Sequence, residues 1–338
     1  MFGASVIIPT FNKEYYLGLT LSGFLLQTRK DFEIIIINDG GNKAETESVI
    51  DKYSKSLNIK YIYQENQGRS YSRNRGMEIA TGDYIIFSDD DRIPNPEFVS
   101  RHLELLSNSP KKVSIGYKQV VFSYYKKQLS VNFQIYHEMI RKNPEIIEKV
   151  LKNSEGSLFT SDELIGDFYS TMNKWHFWTP RDNYEDITTV FTDELQGFHL
   201  GWILATTGNM AFDRTSSSSL KFDENYTGWG VEDTDFSFQL KMDGNDFVVN
   251  REAVNYHQIH SRGATEGKEV ERNLLYFMKK FNNPEIALFI RYFKGEINLI
   301  DANKIVDSID RHSNDHLTKD YILLLGKHMN HVGEIPWR

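Results

Sequence analysis

The chain has 338 residues, 40% hydrophobic and 25% charged, with a formal net charge of −8 and no cysteine. That length gives one large domain or two ordinary ones, and the composition is that of a globular rather than a disordered protein. The acidic balance argues against a general nucleic-acid binder, and the missing thiols exclude disulfides, cysteine-held zinc and a thiol nucleophile.

No apolar run has the length needed to span a bilayer. The N-terminus opens directly on a strand pattern, with no basic region ahead of an apolar core, so no signal peptide is expected. The expected location is cytoplasmic, with peripheral contact to the inner face of a membrane left open. Aromatic content is high, at 13%, and serves either a large core or platforms that stack on sugars.

The first strand runs over 4–9 and ends at Pro9. Asn12 is then placed to cap a helix carrying Leu17, Leu21 and Leu25. The stretch 32–37 is apolar on both faces, as a central parallel strand is, and ends in Asn38-Asp39-Gly40-Gly41. A helix over about 45–56, a strand over 59–63 and a helix over about 70–80 follow, with Thr81-Gly82 as the stop. The fourth strand, 83–87, runs straight into Ser88-Asp89-Asp90-Asp91. Such strand–helix alternation predicts a parallel, doubly wound sheet, whose ligands sit beyond the carboxyl ends of the strands. Pro9-Thr10, Asn38-Asp39 and the acidic run all fall on that rim.

Three adjacent acids repel one another, so a strand end that keeps them needs positive charge. A hard divalent cation bridging them to a phosphate-bearing ligand meets that need. The alternative is a solvated acidic turn with a helix cap, since Pro94 and Pro96 follow.

Residues 111–125 are β-rich, and 131–171 is helical on Ile135, Met139, Ile140, Ile146, Ile147 and Val150. The stretch 175–202 is dense in rings, among them Trp175, Phe177, Trp178, Tyr184, Phe198 and Trp202. It reads as a loop-rich insertion, its rings forming either a satellite core or an acceptor groove. The sheet resumes over 203–212, and 216–219 is a serine loop expected to be mobile. In Gly228-Trp229-Gly230-Val231-Glu232-Asp233, the helix dipole accounts for acids in a first helical turn but not for the flanking glycines. A strand over 246–249 precedes His257 and His260. Histidines are usually structural, but two so close behind an acidic site point to metal ligation. From about 266 the chain is helical, on Leu274, Leu275, Phe277, Met278 and Phe281, then 286–293 and 321–325. This tail packs on the rest of the chain or offers an apolar face to a homodimer or a membrane surface. No internal repeat is present.

Taken in order and spacing, these motifs resemble a family 2 glycosyltransferase of the GT-A fold. The N-terminal match is Val6-Ile7-Ile8-Pro9-Thr10-Phe11-Asn12, Ile37-Asn38-Asp39-Gly40, Asn66-Gln67-Gly68, Ser72-Arg73-Asn74-Arg75-Gly76 and Gly82-Asp83-Tyr84-Ile85 with the acidic run. Residues 228–233 are similar to a segment of galactosyl- and N-acetylgalactosaminyltransferases and chondroitin-type polymerases. The likeness covers roughly 4–100 and 203–260. It implies a Rossmann-like, mostly parallel central sheet flanked by helices. The catalytic domain would span 1–262, made of a nucleotide-sugar half (1–125), an insertion (126–202) and an acceptor half (203–262). A C-terminal helical extension (263–338) would follow.

The resemblance implies roles residue by residue. Pro9, Thr10, Asn12, Asp39, Arg69, Arg73, Asn74, Asp89 and Asp90 would bind the donor, with Asp39 accepting the uracil N3–H. Asp89, Asp90 and Asp91 match the Asp-x-Asp motif. Asp91 would hold Mn²⁺ or Mg²⁺ with His257, or with His260 as runner-up. Asp233 matches the catalytic base, Glu232 a residue that holds a sugar, and Trp229 with Gly230 a wall of the acceptor site. The reaction would be an inverting transfer of a hexose or N-acetylhexosamine (galactose, N-acetylgalactosamine or glucose type) from a UDP-sugar. The acceptor would be a glycan, a lipid-linked glycan or a peptide. A sugar nucleotidyltransferase is disfavoured because 9–13 lacks a glycine-rich loop. A non-catalytic nucleotide-sugar-binding module is disfavoured because the acids are all present.

Overall fold

Alternation of side chains along two strands organises the molecule. In β1 (Ala4–Thr10), Val6 and Ile8 face one way and Ile7 the other; in β2 (Phe32–Asp39), Ile34 and Ile36 oppose Ile35 and Ile37. Both strands are buried along nearly their whole length, so each face of the sheet must be covered. The computed structural model describes residues 2–107, 109, 111–126, 133–153, 155–176, 184–260, 266–311 and 320.

The first half alternates as expected: β1, α1 (Glu14–Leu25), β2, α2 (Lys43–Asp51), β3 (Ile59–Gln64), α3 (Arg69–Ile79) and β4 (Tyr84–Ser88). A short β5 (Arg92–Pro94), α4 (Phe98–Ser107), β6 (Lys112–Val121) and β7 (Tyr124–Lys126) follow. The insertion holds α5 (Phe133–Lys142), α6 (Ile146–Lys152), β8 (Glu155–Ser157), α7 (Ser161–Gly166), α8 (Phe168–Trp175) and α9 (Tyr184–Phe191). Then come β9 (Asn209–Asp213), α10 (Glu232–Met242), β10 (Asp246–Gln258), α11 (Glu266–Phe281), α12 (Pro284–Phe293) and α13 (Leu299–Arg311).

Among the described residues, eight strands form one sheet in the order β3-β2-β1-β4-β9-β6-β10-β5. Four of its seven pairings are parallel. The strand expected over 203–212 is smaller than that: a single 3-10 turn occupies Gly201–Ile203, and only β9 joins the sheet, antiparallel to both neighbours. Conversely, the strand expected over 246–249 continues to Gln258 and carries His257 inside it. Loop 216–219 is tied down at its start and middle: the Asp213 carboxylate accepts from the Ser216 amide at 2.8 Å, Lys111 donates to the Ser216 carbonyl at 2.9 Å, and Ser217 is buried.

Asn12 does not cap α1. Its backbone takes φ 53°, and its side-chain oxygen accepts from the Asn42 amide at 2.8 Å, while the residue at the cap position is Lys13, with no side-chain cap bond. Asn42 is the residue that caps, accepting from the Glu45 amide at the start of α2.

One face of the sheet packs Val6, Ile8, Ile34 and Ile36 on α1 and α4, through Leu17, Phe24 and Phe98. The other packs Ile7, Ile35, Ile37 and Phe87 on α10 to α13, so the C-terminal helices share a core with the sheet. Residues of the insertion form a third core around Phe159, Phe168, Met172 and Trp175.

Where it is described, the aromatic stretch is therefore mostly core, although the buried Tyr184 also lines a cavity. Trp202 is fully buried, 4.9 Å from the Phe238 ring and 5.5 Å from Phe289, and its indole N–H donates to Glu285 at 3.0 Å. Trp175, Tyr184 and Phe198 are buried as well. Phe177, Trp178 and the segment 321–325 lie outside the described residues. Trp202→Ala is expected to cost about 3–5 kcal/mol in urea unfolding, the range for truncating a core aromatic. A ring serving only an acceptor groove would leave the unfolding midpoint in place.

Candidate active site

The ends of β1, β2 and β4 open into a cavity of about 630 Å³. Asp39 closes the loop leading into α3. Its carboxylate accepts from the Gln67 and Gly68 amides at 2.9 and 2.8 Å and from the Gln64 side chain at 2.8 Å. Gly68 sits at φ +93°, a left-handed conformation that an L side chain strains to reach. The turn so formed starts α3 with Arg69 and Arg73 lining the cavity.

The acidic run is held by cations. Asp91 is buried, with Lys13 Nζ 2.6 Å from its Oδ2 and Arg92 Nε 4.0 Å from its Oδ1. His260 Nε2 lies 2.9 Å from Oδ2, and His257 Nε2 3.8 Å from Oδ1. Burial opposes ionisation of Asp91, but the close contact with His260 and the charges of Lys13 and Arg92 outweigh it and hold its carboxyl well below the usual range. Asp90 accepts from the Thr10 hydroxyl at 2.7 Å, and burial pushes it up to about 7 against the pull of Lys13. Burial, aided by Arg92, pushes His257 down to about 3, so it stands as neutral imidazole, the form that binds metals.

The residues present fit a divalent ion. Asp91, His257 and His260 bring one ligand atom each to within 4.8 Å of one another. Asp91 Oδ1 is buried and lacks a hydrogen-bond partner. One carboxylate with two imidazoles suits Mn²⁺ and its first-row neighbours. Of the two histidines, the runner-up, His260, is the nearer to Asp91.

Another part of the lining comes from the start of α10. Val231 takes the left-handed conformation, φ 78°, and delivers Glu232 and Asp233 at the helix N-terminus. Arg73 ties this end to the acidic run: Nη1 donates to Glu232 Oε1 at 3.0 Å, and Nη2 lies 3.6 Å from Asp89. Burial and the neighbouring Glu232 push Asp233 up to about 6, with Arg73 opposing.

The Gly-Trp-Gly turn is held from the C-terminal helices. Glu269 accepts from the Trp229 amide at 2.8 Å and Asn273 donates to the Gly230 carbonyl at 2.9 Å. A Cβ on Gly228, itself at φ +77°, would come within 2.6 Å of the Glu269 carboxylate. Val270, Phe289, Tyr292 and Phe293 add an apolar lining to the same cavity.

Pro9, Thr10, Asp39, Arg69, Arg73 and Asp89 to Asp91 are thus brought together with Trp229, Gly230, Glu232, Asp233, His257 and His260. Two residues expected at the donor are not. Asn12 binds the Asn42 amide, and Asn74 forms a reciprocal pair with the Phe222 backbone, donating at 2.9 Å and accepting at 2.8 Å. Sequence reasoning missed Lys13, Arg92, Lys118 and the C-terminal lining. Arg92 directly follows the acids, so the need for countercharge could have found it. The helical lining belongs to no motif.

Residues 5–157 match the family model described as Glycosyl transferase family 2. The chain is 28% identical over 321 residues to the "Uncharacterized glycosyltransferase YfnE" of Bacillus subtilis (strain 168), covering 91% of this chain and 78% of that one. It is 29% identical over 303 residues to a chondroitin synthase of Escherichia coli, covering 86% of this chain but only 41% of the synthase. In fold it is similar to S. aureus TarS 1-349 in complex with UDP, with a TM-score of 0.54 and 16% identity over 87% of this chain and 72% of that one. Among the described residues no helix is long and apolar enough to cross a membrane.

Arg73→Met strands Glu232 in a buried site, and a loss of about 3–5 kcal/mol is expected in chemical denaturation. Adding Glu232→Gln is expected to recover part of it. Strictly additive losses in the double variant would show that the two side chains do not act as a pair.

Proposed function

We propose that this chain, similar over residues 5–157 to glycosyltransferase family 2 and along most of its length to named glycosyltransferases, is a family 2 enzyme: an inverting, metal-dependent transferase using a UDP-sugar. The supporting observation is the division of carboxylates within one cavity: Asp91 with two imidazoles in one place, Asp233 at a helix start in another, and Arg73 between them.

The chain's residues divide the work as follows. The Asp39 carboxylate has about four lone-pair sites and spends three on its own loop, leaving one to accept the uracil N3–H. Thr10 fixes the rotamer of Asp90, which orients with Asp89 toward the ribose and sugar. Asp91, His257 and His260 would hold Mn²⁺ or Mg²⁺, which when bound would supply Lewis-acid stabilisation of the charge on the leaving diphosphate. Asp233 takes the proton of the attacking acceptor hydroxyl; with its pKa raised to about 6 it is ionised at neutral pH yet a stronger base than an ordinary carboxylate. Glu232, paired to Arg73, accepts from a sugar hydroxyl, and Trp229 offers its ring to a sugar face. The donor sugar is of the galactose, N-acetylgalactosamine or glucose type. A glycan, free or lipid-linked, fits the apolar lining from Val270, Phe289 and Tyr292 better than a charged peptide does.

The reading is tested by UDP release from UDP-Gal, UDP-GalNAc, UDP-Glc and UDP-GlcNAc with Mn²⁺ or EDTA. One sugar is expected to dominate, and EDTA to slow it by about 100-fold or more, as loss of a metal worth several kcal/mol requires. Equal rates in EDTA would remove the metal from the mechanism.

Asp233→Asn is expected to lower kcat by about 10²–10⁴-fold while leaving UDP affinity in place, as removal of a general base does. Because the active form is the carboxylate, kcat/KM is expected to be flat above about pH 7 and to fall as pH drops through about 6. A profile with no acid limb in that range would assign the base elsewhere.

A further inference from the structure

We propose that Lys13 competes with the divalent ion for Asp91, and that the donor diphosphate draws Lys13 off, so that metal and nucleotide bind cooperatively. This rests on the metal reading given above. The observation is a convergence of three polar groups. Lys13 Nζ lies 2.6 Å from Asp91 Oδ2 and 2.9 Å from His260 Nε2, and His260 Nε2 lies 2.9 Å from the same Asp91 oxygen. Asp90 Oδ1 is 3.7 Å from the ammonium.

The geometry fixes what Lys13 does. An ammonium has donors only, so its contact with His260 takes the lone pair on Nε2; Nε2 then carries no proton to give Asp91, and the ammonium is what holds the two acceptors 2.9 Å apart. That tautomer and that nitrogen are the ones a metal would use. A carboxylate oxygen and an imidazole lone pair therefore point at one positive centre, as they would at a cation of the first transition row. Lys13 holds the His260 nitrogen and one oxygen of the Asp91 carboxylate that would serve the ion, so the two cations exclude each other by charge as well as by space.

Lys13 is also built to leave. It sits at the cap position of α1 without making a cap bond, in the loop after β1. Its side chain keeps 28% of its surface exposed, against 14% for Arg92. A lysine is a point charge on a flexible four-carbon stem, whereas a guanidinium is held in a fork. On withdrawal it needs another anion, and the phosphates of the donor are the new anions brought to this cavity. Metal binding alone thus strips Lys13 from Asp91 without replacement, and nucleotide binding supplies the replacement. The two ligands then favour each other, and by linkage to the same extent.

The test is Mn²⁺ binding, read from the free-Mn²⁺ EPR signal and by calorimetry, for EDTA-stripped and dialysed wild type, Lys13→Met and Asp91→Asn, each with and without UDP. Lys13→Met is expected to bind Mn²⁺ alone about tenfold tighter than wild type, within the usual 5–150-fold range of such coupling, and to lose most of the enhancement by UDP. Mn²⁺ is expected to raise its melting temperature more than that of wild type, a readout independent of turnover. Asp91→Asn is expected to bind no Mn²⁺. Equal or weaker Mn²⁺ affinity in folded Lys13→Met, with wild type binding normally, overturns the competition and leaves the metal site standing. Absence of Mn²⁺ binding in both folded proteins overturns the metal reading and the competition together.

Discussion

Six carboxylates, those of Asp39, Asp89, Asp90, Asp91, Glu232 and Asp233, line one cavity, and buried charges of one sign stay together only around cations or polar hydrogens. Each acid here has such a support. Asp39 is neutralised by the backbone amides of its own loop, Asp91 by Lys13 and Arg92, and Glu232 by Arg73. Asp90 and Asp233 have the weakest support and the raised pKa values that follow from it. That gradient is what gives chemically similar side chains different work. A carboxylate held ionised suits a cation, and one left near neutrality suits a proton.

The fold serves this arrangement by mixing strand directions. Parallel β1, β2 and β4 bring Thr10, Asp39 and the acidic run to one rim. Antiparallel β9 approaches the same rim from the opposite sense, so the residues just before it, Thr206 to Gly208, enter the cavity beside Asp89. A Cβ on Gly208 would stand 2.9 Å from the Asp89 carboxylate, so any side chain there would push the acid aside. β10 then returns parallel to β6 and carries His257, its next-to-last residue, beside Asp91. The C-terminal helices complete the enclosure through Glu269 and Asn273, which fix the turn carrying Trp229.

Much of this was legible in the chain. Runs that are apolar on both faces, broken by Asn-Asp-Gly-Gly or Asp-Asp-Asp, mark parallel strands and the rim on which they end, because burial on two faces leaves polar residues nowhere to go except the ends. The same logic misled at Asn12 and Asn74. A polar residue near the rim is equally suited to tying loops together, and side-chain amides do so whenever a backbone group is within reach. The rings of 175–202 pose the same ambiguity in apolar form. Trp202 and Phe198 have the composition of a sugar platform, and only their packing against Phe238, Phe289 and Phe191 makes them core.

By itself, the sequence determined the α/β alternation, the rim and the acids on it, since these follow from periodicity and from charge placed at strand ends. Tertiary structure alone decided which cation faces which acid, that His260 stands nearer to Asp91 than His257 does, that β9 runs antiparallel, and that helices without a motif line the cavity. Those are relations between residues up to 247 positions apart, as for Lys13 and His260. Their distances are set by how the layers pack, which no local pattern of residues records.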